Sequence, residues 1–140
     1  MRKQELEHYK IVDHEADTGF EIYGKTLEEL YQNGAEALFS LIVSHGKIKP
    51  EKGKRLDLKD DNGLLVVFLN ELLYFWDTEG FIPREFSLKV EGGKLTGTVI
   101  GAIFDPTRDT IRQEVKAVTY HQFSMAQEKG LFKARVIVDV

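Results

Sequence analysis

The chain has 140 residues, 42% of them hydrophobic and 30% charged, with a formal net charge of -4 and no cysteine. That length suits one domain with a proper core and is short for two, while the acidic balance argues against a broad phosphate-binding surface built from clustered Lys and Arg. The lack of cysteine excludes disulfides, catalytic thiols and thiolate metal sites, so any chemistry falls to carboxylates and to His8, His14, His45 and His121.

Residues 7 to 13 and 18 to 24 read as two short strands, the second alternating Phe20 and Ile22 with Glu21 and Tyr23. Thr26-Leu27-Glu28-Glu29 is a capping box, which opens a helix with Leu27, Leu30, Tyr31, Ala35, Leu38, Phe39 and Ile42 on its apolar face. Gly46 is the expected stop. Lys47 to Arg55, the nearest approach to a basic patch, is interrupted by Pro50 and Glu51 and reads as a solvated loop leading into a strand at 54 to 59.

Asp60, Asp61 or Asn62 is expected to cap a second helix, and the run from Leu64 to Trp76 is apolar on most of its circumference. Such a helix should be the central pillar of the fold, ended by Gly80. Glu71 within it is either on a thin solvent stripe or a partnered functional acid.

Beyond Phe81-Ile82-Pro83-Arg84 the pattern is of strands. Phe86, Leu88 and Val90 alternate, Glu91-Gly92-Gly93-Lys94 is a hairpin signal, and Leu95 to Phe104 returns. Asp105-Pro106-Thr107-Arg108 makes a turn, 110 to 120 reads as one strand, and 123 to 127 with 131 to 140 form a last hairpin around Glu128-Lys129-Gly130. The expected architecture is α+β: a largely antiparallel sheet with two helices packed on one face, in a single domain over 1–140. No stretch of about 18 apolar residues occurs, and Met1 to Lys10 is polar, so a cytoplasmic protein without membrane contact is expected.

Two acidic clusters carry the chemical interest. The last strand ends on Asp139-Val140, which brings the Asp139 carboxylate within one residue of the α-carboxylate of Val140. Near the other end stands Asp13-His14-Glu15-Ala16-Asp17-Thr18-Gly19. If the first and last strands are neighbours, these carboxylates can converge on one hard cation, Ca²⁺, Mg²⁺ or Mn²⁺. Along a straight strand Asp13 and Asp17 would lie roughly 13 Å apart, so sharing a metal requires a turn between them, for which Thr18 and Gly19 are candidates. The other reading is that Asp13 and Asp17 are turn-forming acids bonded to their own backbone and Asp139 a frayed terminus.

On the strand read at 110 to 120, Glu114 and Lys116 share a face with Arg112. That pair is either a solvated stripe or, through Lys116, a contact for an anion or a partner's acid. His121 at its end is a turn residue, or an imidazole able to bind metal or respond to pH. The sequence has no Gly-x-Ser-x-Gly elbow and no phosphate-cradling glycine loop.

Asp13-His14-Glu15-Ala16-Asp17-Thr18-Gly19 followed by Gly24-Lys25-Thr26-Leu27-Glu28-Glu29-Leu30 resembles the N-terminal signature of the archease family. Phe81-Ile82-Pro83-Arg84-Glu85, Glu114-Val115-Lys116-Ala117-Val118-Thr119-Tyr120-His121 and Arg135-Val136-Ile137-Val138-Asp139-Val140 resemble its later blocks, in order and over nearly the whole chain. Departures are Glu15 for the usual Thr, Thr18 where a β-branched apolar residue is common, and Gly34 for Ala; Glu15 adds a charge beside the metal site.

The resemblance implies a small α+β protein on a strand-helix-strand-strand module with an insertion. It implies a non-catalytic activator of the RtcB-type RNA ligase of tRNA splicing and RNA repair, promoting GTP- and Mn²⁺-dependent guanylylation of the ligase and multiple turnover, with tRNA met through that partner. Carried onto this sequence, Asp13, Asp139 and the Val140 carboxylate are metal-binding acids, Asp17 is their neighbour, and Lys116 is the functional lysine, with His14 and Glu114 beside them in the same blocks. Two other roles remain: a chaperone-like modulator of a tRNA methyltransferase, also described in the family, and a metal hydrolase in which a carboxylate-bound cation activates water.

Overall fold

The computed structural model describes residues 7–14 and 17–140, and the side chains of Asp13, His14 and Asp17 lie outside that description. The elements run β1 (Tyr9–His14), β2 (Asp17–Gly24), α1 (Leu27–Ile42), β3 (Val43–Ser44), β4 (Lys52–Lys59), α2 (Leu64–Glu79), β5 (Phe81–Glu91), β6 (Lys94–Ile103), β7 (Thr110–Ile111), β8 (Ala117–Glu128) and β9 (Leu131–Asp139). Every strand pairing is antiparallel. The α+β class with two helices is therefore found, with the strands divided among a four-stranded sheet ordered β1-β2-β9-β8, a three-stranded sheet ordered β4-β6-β5, and the ribbon β3-β7.

The capping box closes with one residue's offset: the Thr26 hydroxyl accepts from the Glu29 amide at 3.0 Å, and the Glu29 carboxylate reaches back past the cap to accept from the Lys25 amide at 3.0 Å. The helix stops at Ile42, four residues before Gly46. Val43 is already extended and buried, and it pairs with Ile111 across the β3-β7 ribbon. Burial of a β-branched residue in a strand wins over continued helix.

At the start of α2 the cap is Gly63, with no side-chain cap bond, in place of the expected Asp60, Asp61 or Asn62. The reason is steric. A Cβ at 63 would collide with the Tyr120 ring, so any larger residue there would require that ring to move. Gly80 ends α2 in the left-handed conformation (φ 71°), its amide bonded to the Trp76 carbonyl at 2.8 Å.

The pillar reading of α2 holds: Leu64, Leu65, Val66, Phe68, Leu69, Leu72 and Leu73 are buried, each contributing on the order of 1.5–3 kcal/mol by leaving water. Both helices touch both larger sheets, α1 against β1, β2, β9 and β5, and α2 against β8, β4, β5 and β6. Aromatic rings tie the layers together, with edge-on pairs Phe39–Trp76, Trp76–Phe104 and Phe75–Phe81 at centroid separations of 6.3, 5.8 and 6.2 Å. One contiguous apolar cluster results, running from Phe20 and Ile22 through both helices to Leu95 and Val138.

The strand expected over 110 to 120 is broken. Thr110–Ile111 pairs with β3, residues 112–116 are irregular, and β8 begins only at Ala117. The amides of Arg112 and Gln113 both donate to the Ile42 carbonyl, at 2.8 and 3.4 Å, which satisfies the exposed end of α1 and pulls this segment out of any ladder.

Candidate functional site

The end of the four-stranded sheet collects the sequence-predicted acids by backbone register. His14 pairs with Asp17, and Thr18 with Val138, so one further register step sets Asp17 opposite Asp139, which itself pairs with Ala117. One row therefore reads His14, Asp17, Asp139, Ala117. Asp13 belongs to the next row in, with Thr18, Val138 and Val118. The first and last strands share this sheet but are not neighbours, because β2 lies between them. Asp13 and Asp139 are thus two strand spacings apart, roughly 10 Å. Thr18 and Gly19 are residues of β2, not of a turn.

Asp139 and Val140 are exposed, Val140 by 40%. Among the described residues no hydrogen bond or ion pair reaches the Asp139 carboxylate, and no three acids or histidines gather as a metal site. The Asp139 carbonyl is held, accepting from the Lys116 amide at 2.7 Å. That bond brings Lys116, whose side chain is exposed, directly beside the acidic row.

Glu114 does not share a strand face with Lys116, since the segment is irregular. Its charge bears instead on Asp77 near the end of α2, whose carboxyl is pushed above its ordinary range first by partial burial and then by Glu114. His121 lies in an irregularity of β8. Register jumps from Thr119 opposite Ile137 to Ser124 opposite Arg135, and the His121 amide bonds the Thr119 hydroxyl at 3.3 Å. Glu71 is half-buried.

Sequence reasoning missed Asn70. From α2 its carboxamide donates to the Val118 carbonyl and accepts from the Val118 amide, both at 2.9 Å. The sequence signal for it is a polar residue placed mid-way along a largely apolar helix. A groove of about 950 Å³, lined by Gly24, Thr26, Asn33, Leu88 and Leu131 among others, lies at the opposite end of the sheet from Asp139.

The model of the archease protein family matches residues 9–140. The chain belongs to the archease family. The archease of Methanosarcina barkeri is 36% identical over 139 residues, covering 94% of this chain and 95% of that protein. The archease of Pyrococcus furiosus is 39% identical over 146 residues, covering 98% and 99%. Among solved structures, Methanobacterium thermoautotrophicum protein 1598 superposes with a TM-score of 0.81 at 35% identity, covering 95% of this chain and 99% of its own. An archease of Thermotoga maritima, described as a possible chaperone, shares the fold with a TM-score of 0.60 at 23% identity, over 100% of this chain and 98% of its own. The archease match begins at the first residue of β1 and runs through Val140, so the acidic sheet end lies within it. Among the described residues no helix is long and apolar enough to cross a membrane.

Proposed function

We propose that the chain is a non-catalytic activator of an RtcB-type RNA ligase in tRNA splicing and RNA repair, promoting GTP- and Mn²⁺-dependent guanylylation of the ligase histidine and repeated turnover. The observation that carries this reading, beside archease membership, is the register row at the end of the four-stranded sheet, with Asp17 and Asp139 on adjacent strands and Lys116 bonded to the Asp139 carbonyl. An ordered strand that ends on an exposed acid is suited to act inside another protein's active site. No nucleophile or enclosing pocket of its own is needed there.

Asp13, Asp17, Asp139 and the α-carboxylate of Val140 would hold a divalent cation. The donor set is all oxygen, which fits Ca²⁺, Mg²⁺ or Mn²⁺; Asp17 and Asp139, on neighbouring strands about 4.8 Å apart, are the acids the register sets closest, while Asp13 stands one row in and two strands from Asp139. A bound cation would supply positive charge for the phosphates of GTP. The chain's own part is positional: the paired end of β9 presents Asp139 rigidly, and the Lys116 ammonium offsets phosphate charge beside it. Catalytic gain then comes from alignment and electrostatics on the ligase.

The test is guanylylation of the ligase from the same organism with GTP and Mn²⁺, with substoichiometric chain added or withheld. Stimulation that vanishes with Asp13→Ala or Asp139→Ala supports the reading. A folded chain that gives no stimulation, but recovers a tRNA methyltransferase in pull-downs, refutes it in favour of the chaperone-like role.

A further inference from the structure

The first three residues of β8 form a ladder of their own. Ala117, Val118 and Thr119 pair with Asp139, Val138 and Ile137, and the irregularity at residues 120–123 then separates them from the longer ladder that resumes at Ser124. Gln122 within it takes a positive φ of 53°. The irregularity leaves only a three-residue ladder here, and among the described residues β8 is the outer strand of its sheet.

Two contacts from outside the sheet compensate. The Asn70 carboxamide makes both a donor and an acceptor bond to the backbone of Val118, as a neighbouring strand would. The Tyr120 ring packs on Gly63, and its hydroxyl reaches Asp60 at 3.4 Å. Asn70 is the decisive one. Val118 lies between the Lys116 amide that bonds Asp139 and the Thr119 hydroxyl that bonds the Ile137 carbonyl at 3.0 Å. The side chain that holds Val118 therefore holds both.

We propose that Asn70 is a positioning residue for the acidic end of the molecule: from α2 it pins the start of β8 and so sets Lys116 against Asp139. It touches neither ligase nor nucleotide in this role. The functional half of the proposal rests on the activator reading above; the structural half does not.

Amide hydrogen exchange and ligase guanylylation, measured on the full chain, test it in parallel. The control is Asn33→Ala. Asn33 is buried and donates to the Tyr23 carbonyl at 2.7 Å, a comparable side-chain bond to a strand at the far end of the same sheet. In Asn70→Ala the Lys116 amide is expected to exchange about tenfold faster or more, since two bonds that hold the local ladder are lost, while the Phe20 amide keeps its wild-type rate. Maximal stimulation of guanylylation at saturating chain should fall at least about fivefold in Asn70→Ala and stay near wild type in Asn33→Ala.

Asn70→Asp, which keeps the acceptor for the Val118 amide but sets a carboxylate oxygen against the Val118 carbonyl, should also speed Lys116 exchange and lower stimulation, and it serves as the decisive variant if Asn70→Ala does not fold. Unchanged Lys116 exchange overturns the proposal whatever the ligase does. Faster exchange with full maximal stimulation overturns it too, by reducing Asn70 to a structural residue. If wild-type chain gives no stimulation, the activator reading fails, and Lys116 exchange alone decides whether Asn70 positions the strand.

Discussion

Two aspartates, Asp109 and Asp139, sit at the margins of strands and have opposite surroundings. Asp109 is 4% exposed and fully engaged: its carboxylate accepts from the Gly46 amide at 3.2 Å, the Asp105 amide at 3.0 Å, and Arg108 through Nε at 2.8 Å and Nη2 at 2.6 Å. Asp139 is exposed, and among the described residues its carboxylate has no such partner. A buried charge is tolerated only when the fold itself satisfies it, as it does at Asp109. An acid held on an ordered strand and left open costs the fold little and adds little to it. The comparison separates an acid that builds the fold from one that the fold presents.

Breaking the first member should have the largest effect. Asp109→Ala strands the Arg108 guanidinium and two backbone amides, and the expected loss is about 3–5 kcal/mol in urea unfolding. A loss under about 1 kcal/mol would mean that the corner is not a structural anchor.

The acid limb of stability sharpens the same point. Arg108 first, then the backbone donors, hold the Asp109 carboxyl down at about 2, below the ordinary carboxylate value near about 3.9. A depressed folded-state value means that the stabilisation is fully present above the unfolded value and is lost as pH falls from about 4 toward about 2. Asp109→Asn should therefore be less stable than wild type at pH 6, and the gap should narrow on acidification through that window. A gap constant from pH 6 to pH 2 would contradict the assignment.

How much of this was legible in the sequence differs between the two regions. The capping box at Thr26, the stop at Gly80 and the hairpin at Gly92-Gly93 rest on local chemistry, and each sits where the residues put it. Asp139 stands out as the acid ending the last strand and Lys116 as a charge on the 110 to 120 run; the archease blocks add their expected roles. What stayed hidden depends on contacts distant in sequence. Ile42 ends α1 because Ile111 waits to pair with Val43, and the 110 to 120 strand breaks because residues 112 and 113 are needed at that helix end. Asp109 draws no reading from the sequence; only the approach of Gly46, far earlier in the chain, marks it as an anchor. The condition that the first and last strands be neighbours is not met for a similar reason, since β2 lies between β1 and β9.

Breaking the second member should leave the fold nearly untouched. Asp139→Ala and Lys116→Ala each remove an exposed side chain, and the expected change in stability is within about 0.5 kcal/mol by thermal melting. Ligase stimulation, by contrast, should be lost in the first and reduced in the second. A destabilisation of Asp139→Ala approaching that of Asp109→Ala would erase the distinction between the two acids.

The smallest effect belongs to Glu114, which lies near the presented end yet acts on Asp77. Burial first, and Glu114 second, push the Asp77 carboxyl above its ordinary value. For a raised acid the sign reverses: folding is favoured while the group is protonated, and the advantage is lost as pH rises through its folded value. At neutral pH the repulsion is a small cost, screened by solvent because both groups are exposed. Glu114→Gln should therefore stabilise the chain by a few tenths of a kcal/mol at pH 7 and by less at pH 3, read from melting midpoints. It should leave ligase stimulation intact, because its charge bears on Asp77 at the end of α2. Loss of stimulation in Glu114→Gln, with the fold preserved, would move Glu114 from the helix end into the working face of the molecule and widen the presented region beyond Asp139 and Lys116.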